Sequence, residues 1–169
     1  ESDGDGVLAR VINGGRIGRN KAVTVQRDIP LPAMTDKDRA ALDIGRKMGI
    51  RHFALSFASH AEDVDEMRTL AGKDAFIISK IESRAGFRNL EQITKSSDAI
   101  LIDRGDLSRE LPIERIPAAQ KYITERVKES GVKLYVATNL LESMVIAPQP
   151  TRAEVNDIFN TLNDGADGL

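Results

Sequence analysis

Hydrophobic and polar positions change their spacing repeatedly along the chain, and the changes come in a regular order. Behind Pro30 and Pro32, Thr35 is a natural N-cap for a helix carrying Ala40, Ala41, Leu42 and Ile44, and Gly49 is a natural stop for it. A strand follows over 51–57, then a helix over 61–70, a strand over 75–81 and a helix over 85–94. The cycle repeats with a strand over 99–103, a helix over 116–129 and a strand over 134–137. A last helix over 152–162 leads to Gly168 and Leu169, the start of another strand. Strands separated by helices predict a parallel sheet, because parallel neighbours need a crossover connection. The stretch 7–25, broken by Gly14, Gly15 and Gly18, alternates instead like a hairpin of a separate small β unit. The fold class expected is α/β, as successive units of a (β/α)8 barrel. An open doubly wound sheet is the alternative, against which no strand is followed by a glycine-rich fingerprint.

Composition narrows the function classes. The 169 residues are 41% apolar and 30% charged, ordinary values for a globular domain with one sizeable core. Net charge is −2, which supplies no basic field for nucleic acid or an anionic membrane surface, so an anionic substrate must be held by local charges. The absence of cysteine removes disulfides, thiolate metal sites and cysteine nucleophiles, and fits a reducing, cytoplasmic setting. No apolar run approaches the roughly 18–20 residues that cross a bilayer. The chain stops at Leu169 inside an apolar run that has only begun, and the expectation is a piece of a longer protein.

Candidate chemistry gathers at the predicted strand ends. Strand side chains alternate with period two, so Lys80 and Glu82 share a face, at the end where barrels keep their active sites. An isolated lysine and glutamate at this spacing is more often a neutralised surface pair. The next strand runs into Arg104-Gly105-Asp106-Leu107, which places Asp106 on the loop adjacent to Glu82. Two carboxylates from neighbouring strand ends are the usual oxygen ligands of Mg²⁺ or Mn²⁺. The N–H groups of Gly105 and Asp106 could cradle a carboxylate or phosphate. A turn chosen for conformation alone is the plainer reading of this segment. Thr138 ends the following strand and offers a hydroxyl to the same pocket. Arg152 and Glu154 open a helix behind Thr151, where capping and surface pairing are the default roles. His52 and His60 have no spacing suited to a metal.

Taken in order, these segments resemble the pyruvate kinase family. The likeness runs from Val7-Leu8-Ala9-Arg10-Val11 and Gly18-Arg19-Asn20-Lys21 through Leu31-Pro32-Ala33, Ser56-Phe57 and the 78–82 run. It continues through 104–107, Ala137-Thr138, Leu141 to Met144 and 150–154. The resemblance implies that residues 1–26 are the end of a small β cap domain. Residues 27–169 would then run from the third barrel helix to the start of the eighth strand of a TIM barrel. It further implies phosphoryl transfer between phosphoenolpyruvate and ADP, giving pyruvate and ATP, with Mg²⁺ or Mn²⁺ and K⁺. Lys80 would stabilise charge on the phosphoryl group and enolate, and Glu82 and Asp106 would hold the divalent metal. Gly105 and Asp106 would bind the substrate carboxylate, with Thr138 beside it near the protonation path. Members are cytoplasmic and usually homo-oligomeric.

The departures from the family pattern are specific. Asp103 stands where the family commonly has alanine, Ser108 where it has glycine, Asn139 where it has glutamine, and Ser59-His60 where it has a basic pair. Asp103 adds negative charge beside an anionic substrate. The family's first strands, which carry part of the phosphate and monovalent-cation site, have no equivalent here, so the isolated chain is expected to be inactive. Two other classes stay open. One is a metal-dependent lyase or aldolase acting on a 2-oxo acid, since a pyruvate enolate held by Glu82, Asp106 and Mg²⁺ serves carbon–carbon chemistry equally well. The other is a non-catalytic barrel module, whose open strand edges should drive self-association.

Overall fold

The computed structural model describes residues 2–3, 6–7, 9–19, 23, 25 and 31–169. Near the start, the two short strands β1 (Ser2–Asp3) and β2 (Gly6–Val7) pair antiparallel. The hairpin expected over 7–25 is absent from the described residues between 9 and 25, which form no strand. Val11, Ile12 and Ile17 are exposed there, so the alternating pattern meets no second layer against which to bury one face. The rest of that stretch, and with it part of the expected boundary between 1–26 and 27–169, lies outside the described residues.

From residue 36 onward the chain alternates as its pattern predicts. Helix α1 (Asp36–Lys47) is opened by a reciprocal capping box between Thr35 and Asp38 and closed ahead of Gly49, whose φ of +79° is one that glycine adopts without strain. Strand β3 (His52–Leu55), helix α2 (Ala61–Ala71) and strand β4 (Phe76–Ile81) follow. Two short helices, α3 (Arg84–Arg88) and α4 (Leu90–Ser96), lead to strand β5 (Ala99–Asp103), which runs directly into helix α5 (Arg104–Glu110). Helix α6 (Ile116–Ser130), strand β6 (Lys133–Ala137) and helix α7 (Arg152–Asp164) complete the series. The four strands form one parallel sheet in the order β3-β4-β5-β6, and a parallel bridge from Tyr135 to Gly168 begins the next pairing. This is the run of consecutive βα units that a barrel is built from.

The core lies between the outer face of the sheet and the helices. Ile77 and Ile81 of β4, Ile100 and Ile102 of β5, and Leu134 and Val136 of β6 pack with Val64, Met67, Ile93, Ile123 and Val127 from the helical layer. Each fully buried isoleucine contributes about 1.5–3 kcal/mol, so this layer fixes the register of the sheet. The alternate residues, Ile78, Lys80, Leu101, Asp103 and Tyr135, therefore point to the opposite, inner face.

Two connections differ from the sequence-based expectation. The helix expected over 85–94 is split between α3 and α4 at Asn89. Asn89 sends its side-chain amide to the carbonyl of Ser59, 2.7 Å away, and a Cβ on Gly86 would lie 2.5 Å from the carbonyl of Ala58. The chain bends so that this turn can press against the loop after β3. The segment 104–107, expected as a loop, is instead the first turn of α5. Asp103 caps it through the N–H of Asp106, and the fully buried Leu107 anchors it.

Glu154 closes the loop between β6 and α7. Its carboxylate accepts from the backbone N–H (2.8 Å) and hydroxyl (2.5 Å) of Ser143 and from the N–H (2.7 Å) and hydroxyl (2.8 Å) of Thr151. The bonds from Ser143, with those from Thr151, hold its carboxyl down to about 2 against an ordinary 4.5. A depressed carboxyl stabilises the fold fully above its unfolded value, so this clasp acts at neutral pH and is lost as pH falls through about 2. An NMR titration of the Glu154 carboxyl is expected to place its midpoint far below the ordinary value, and Ser143→Ala to move it upward. A wild-type midpoint near 4.5 would show that the clasp does not form.

Candidate active site

The register of the sheet assembles the site. Ile81 pairs with Ile102 and Asp103 with Ala137, so the carboxyl ends of β4, β5 and β6 finish level with one another. Lys80 sits on the inner face of β4 one step before its end. Glu82 lies just past that end, Asp103 closes β5, and Thr138 follows β6. Four polar side chains thus reach one mouth, the place where parallel barrels carry their chemistry.

Lys80 is the hub. Its ammonium lies 2.6 Å from Oε1 of Glu82 and 3.1 Å from Oδ2 of Asp103. Glu82 is fully buried, and its other oxygen accepts the N–H of Phe57 at 2.5 Å. Phe57 takes a left-handed φ of +53° in doing so. Burial dominates at Glu82 and leaves its carboxyl above the usual value, although Lys80 and the Phe57 N–H both favour the ionised form. At Asp103 burial is again the largest single influence and acts upward. Lys80, the Thr138 hydroxyl and the Asp106 N–H together outweigh it and hold that carboxyl below its usual value. Burial likewise acts to lower Lys80, but its two carboxylate partners prevail and the ammonium is held more firmly charged than a free lysine.

Asp106 joins this group from the first turn of α5. Glu82, Asp103 and Asp106 each present an oxygen, and these atoms lie within 4.8 Å of one another. Hard oxygen donors from Glu82 and Asp106 at that spacing suit a small divalent cation such as Mg²⁺ or Mn²⁺, and the residues present fit one. Of the two expected ligands, both are brought together here. The third carboxylate, Asp103, is legible in the sequence as added charge but not as a member of this cluster. The signal that identifies it is its even spacing from Leu101, which puts it on the face shared with Lys80.

Thr138 and the Gly105 turn also meet. The N–H of Gly105 donates to the Thr138 hydroxyl at 2.8 Å, and that hydroxyl has two acceptors in reach, the Ala137 carbonyl at 2.6 Å and the Asp103 carboxylate at 3.1 Å. The N–H of Asp106 donates to Asp103 at 3.4 Å. The two backbone donors expected to cradle a ligand are therefore engaged by the chain's own side chains. Thr138 and Asn139 have left-handed φ values of +72° and +56°, a conformation that costs of order 1–3 kcal/mol for such residues and is kept only where the surroundings impose it. Arg104 imposes it. Its guanidinium donates to the carbonyls of Thr138 (3.0 Å) and Asn139 (2.9 Å) while engaging both oxygens of Asp157 at 2.9 Å. Only 8% of Arg104 is exposed. Neither Arg104 nor Asp157 is recognisable in the sequence as part of the site, because the contact spans 53 residues.

Comparison with known proteins agrees with this fold. The family model for the pyruvate kinase barrel domain matches residues 1–169. A pyruvate kinase of Clostridium perfringens is 41% identical over 174 residues, covering 100% of this chain and 37% of the relative. That of Thermoplasma acidophilum is 44% identical over 169 residues, covering 98% and 31%, and that of Thermotoga maritima 44% over 161 residues, covering 92% and 34%. The chain spans about a third of the length of these relatives. With its parallel strands delivering Lys80, Glu82 and Asp106 to one mouth, the chain belongs to the pyruvate kinase family, within its barrel domain.

Proposed function

We propose that this chain carries the metal and enolate half of a pyruvate kinase-like site, which transfers a phosphoryl group between phosphoenolpyruvate and ADP to give pyruvate and ATP. The observation that carries the reading is the convergence of Lys80, Glu82 and Asp106 at the ends of adjacent parallel strands. Glu82 and Asp106 are the residues that would hold Mg²⁺ or Mn²⁺, while the Asp103 carboxylate next to them is engaged by Lys80 and Thr138. When bound, the ion supplies positive charge to the substrate's carboxylate and enolate oxygens. Lys80 places a persistent cation where negative charge grows on the phosphoryl group and the enolate oxygen, and phosphoryl transfer depends on such positioned charge more than on covalent help. The Thr138 hydroxyl, held between Gly105 and Asp103, lies beside the substrate near the path of the proton that reaches the enolate carbon. The Gly105 and Asp106 N–H groups face the substrate carboxylate once released from their internal partners. K⁺, a cytoplasmic location and a homo-oligomer complete the reading. No described helix is long and apolar enough to cross a membrane.

Calorimetry of the full-length protein with Mn²⁺, with and without oxalate, tests it. Binding is expected to strengthen with oxalate and to vanish in Glu82→Ala and Asp106→Ala, with phosphoenolpyruvate-dependent ATP formation lost in parallel. Unaltered Mn²⁺ binding in both variants rejects the assignment. One observation favours a second reading, a 2-oxo acid lyase or aldolase. Lys80 is already shared by two carboxylates, and a cation so neutralised suits a singly charged enolate better than a multiply charged phosphoryl group. Pyruvate-dependent condensation with an aldehyde in the absence of nucleotide would select it.

A further inference from the structure

Asp103 stands apart from the other two carboxylates of the cluster in the partners it keeps. Glu82 is tied to Lys80 and to the Phe57 N–H, and Asp106 pairs with Arg109 at 3.0 Å. Asp103 takes the Lys80 ammonium at 3.1 Å and the Asp106 N–H at 3.4 Å, and it shares the Thr138 hydroxyl, 3.1 Å away, with the Ala137 carbonyl at 2.6 Å. Every one of these donors is a group that the proposed function assigns to an anionic substrate. A side-chain carboxylate and the carboxylate of a 2-oxo acid have the same charge, the same planar shape and the same need for donors. The single Thr138 hydroxyl hydrogen cannot serve both, and a further carboxylate brought to an ammonium already shared by Glu82 and Asp103 meets like charge and is repelled. Tethering gives Asp103 the advantage, since it reaches these donors without the entropy cost of association that a free ligand bears.

We propose that Asp103 is a specificity-determining residue: it occupies Lys80 and Thr138 from within, so that a carboxylate substrate binds only by displacing it. The inference rests on the reading above, in which Lys80 and Thr138 face the substrate. The site as folded is an anion site filled by its own chain, and its affinity for small mono- and dicarboxylates is set by how readily the Asp103 side chain yields. Lys80 bonds to Glu82 through a separate contact, so loss of the Asp103 carboxylate leaves the Lys80 to Glu82 pair in place to receive a ligand.

The test is oxalate binding to the full-length protein, measured calorimetrically with and without Mn²⁺, in wild type, Asp103→Asn and Asp103→Ala. Mn²⁺ affinity is measured separately in each. The amide variant keeps the shape and so guards against a loss of folding in the alanine variant. Oxalate is expected to bind about tenfold more tightly once the charge is gone, with Mn²⁺ affinity kept, because one unit of like charge has been removed from the pocket. Oxalate affinity that is unchanged or weaker in both variants overturns the proposal. So does a large loss of Mn²⁺ affinity in both, which would make Asp103 a metal ligand and not an internal anion. The two readings separate cleanly. Tighter oxalate binding in a protein that forms no ATP from phosphoenolpyruvate would reject the kinase reading and keep this one. Wild-type turnover with unaltered oxalate binding would do the reverse.

Discussion

Replacing Lys80 with methionine is expected to lower phosphoryl transfer by about 10²–10³-fold, the usual loss when one preorganised charge is removed from a site of developing negative charge. Methionine keeps the length and much of the volume of the side chain, so the inner face of β4 stays filled. What goes is the cation that lies 2.6 Å from Glu82 and 3.1 Å from Asp103. That cation favours the ionised form of both carboxyls, so its removal raises both pKa values. The sign for metal binding follows. A divalent cation competes with protons for the same oxygens, and Mn²⁺ binding in the variant should demand a higher pH than in wild type. Steady-state rates of the full-length protein and Mn²⁺ titrations across pH check both parts. A rate loss below about tenfold, or an unshifted pH profile for Mn²⁺, would remove Lys80 from the role assigned to it.

Replacing Arg104 with leucine is expected to destabilise the fold by about 3 kcal/mol, within the range for breaking a buried ion pair by deleting one partner. The change strands four acceptors at once: the Asp157 carboxylate, the Gln120 side-chain oxygen and the carbonyls of Thr138 and Asn139. Asp157 is about a third exposed and can recover some hydration, which keeps the loss at the lower end of that range. The two carbonyls belong to residues held at positive φ, and without the guanidinium the turn is free to relax toward ordinary backbone. Thr138 would then leave its place between Gly105 and Asp103. Catalysis should fall along with stability although Arg104 touches none of the carboxylates of the cluster. Arg104→Lys separates charge from shape, since an ammonium can reach Asp157 but cannot fork to both carbonyls. Partial recovery of stability with continued loss of rate is the expected outcome for lysine. Urea unfolding is the measurement, and a cost below about 1 kcal/mol for the leucine variant would mean that the network carries no weight.

Much of the scaffold is readable from the order of residues. The β5 strand falls on the residues its pattern predicts, α1 begins behind Thr35, and the strand ends carry Lys80 and Glu82 on one face because side-chain direction in a strand is set by parity alone. The same arithmetic places the site at the carboxyl ends of parallel strands. It fails where local signals are weak. The 104–110 turn has too few apolar positions to announce a helix, and its formation depends on Asp103 capping it and on Leu107 finding a buried slot. The break at Asn89 depends on a carbonyl of Ser59, 30 residues away in the chain.

Period and polarity, which are properties of neighbouring residues, suffice for the alternation of strand and helix, for the face each strand buries, and for the delivery of Lys80, Glu82, Asp106 and Thr138 to one mouth. They do not say which group holds which once the strands are assembled. Asp103 engages the Lys80 ammonium and the Thr138 hydroxyl, and Arg104 reaches across from α5 to Asp157 on α7 to pin the Thr138 turn. Hydrogen bonds and ion pairs depend on separations of about 3 Å between atoms of different elements. Such distances are set by the packing of the sheet against its helices, and no local pattern encodes them.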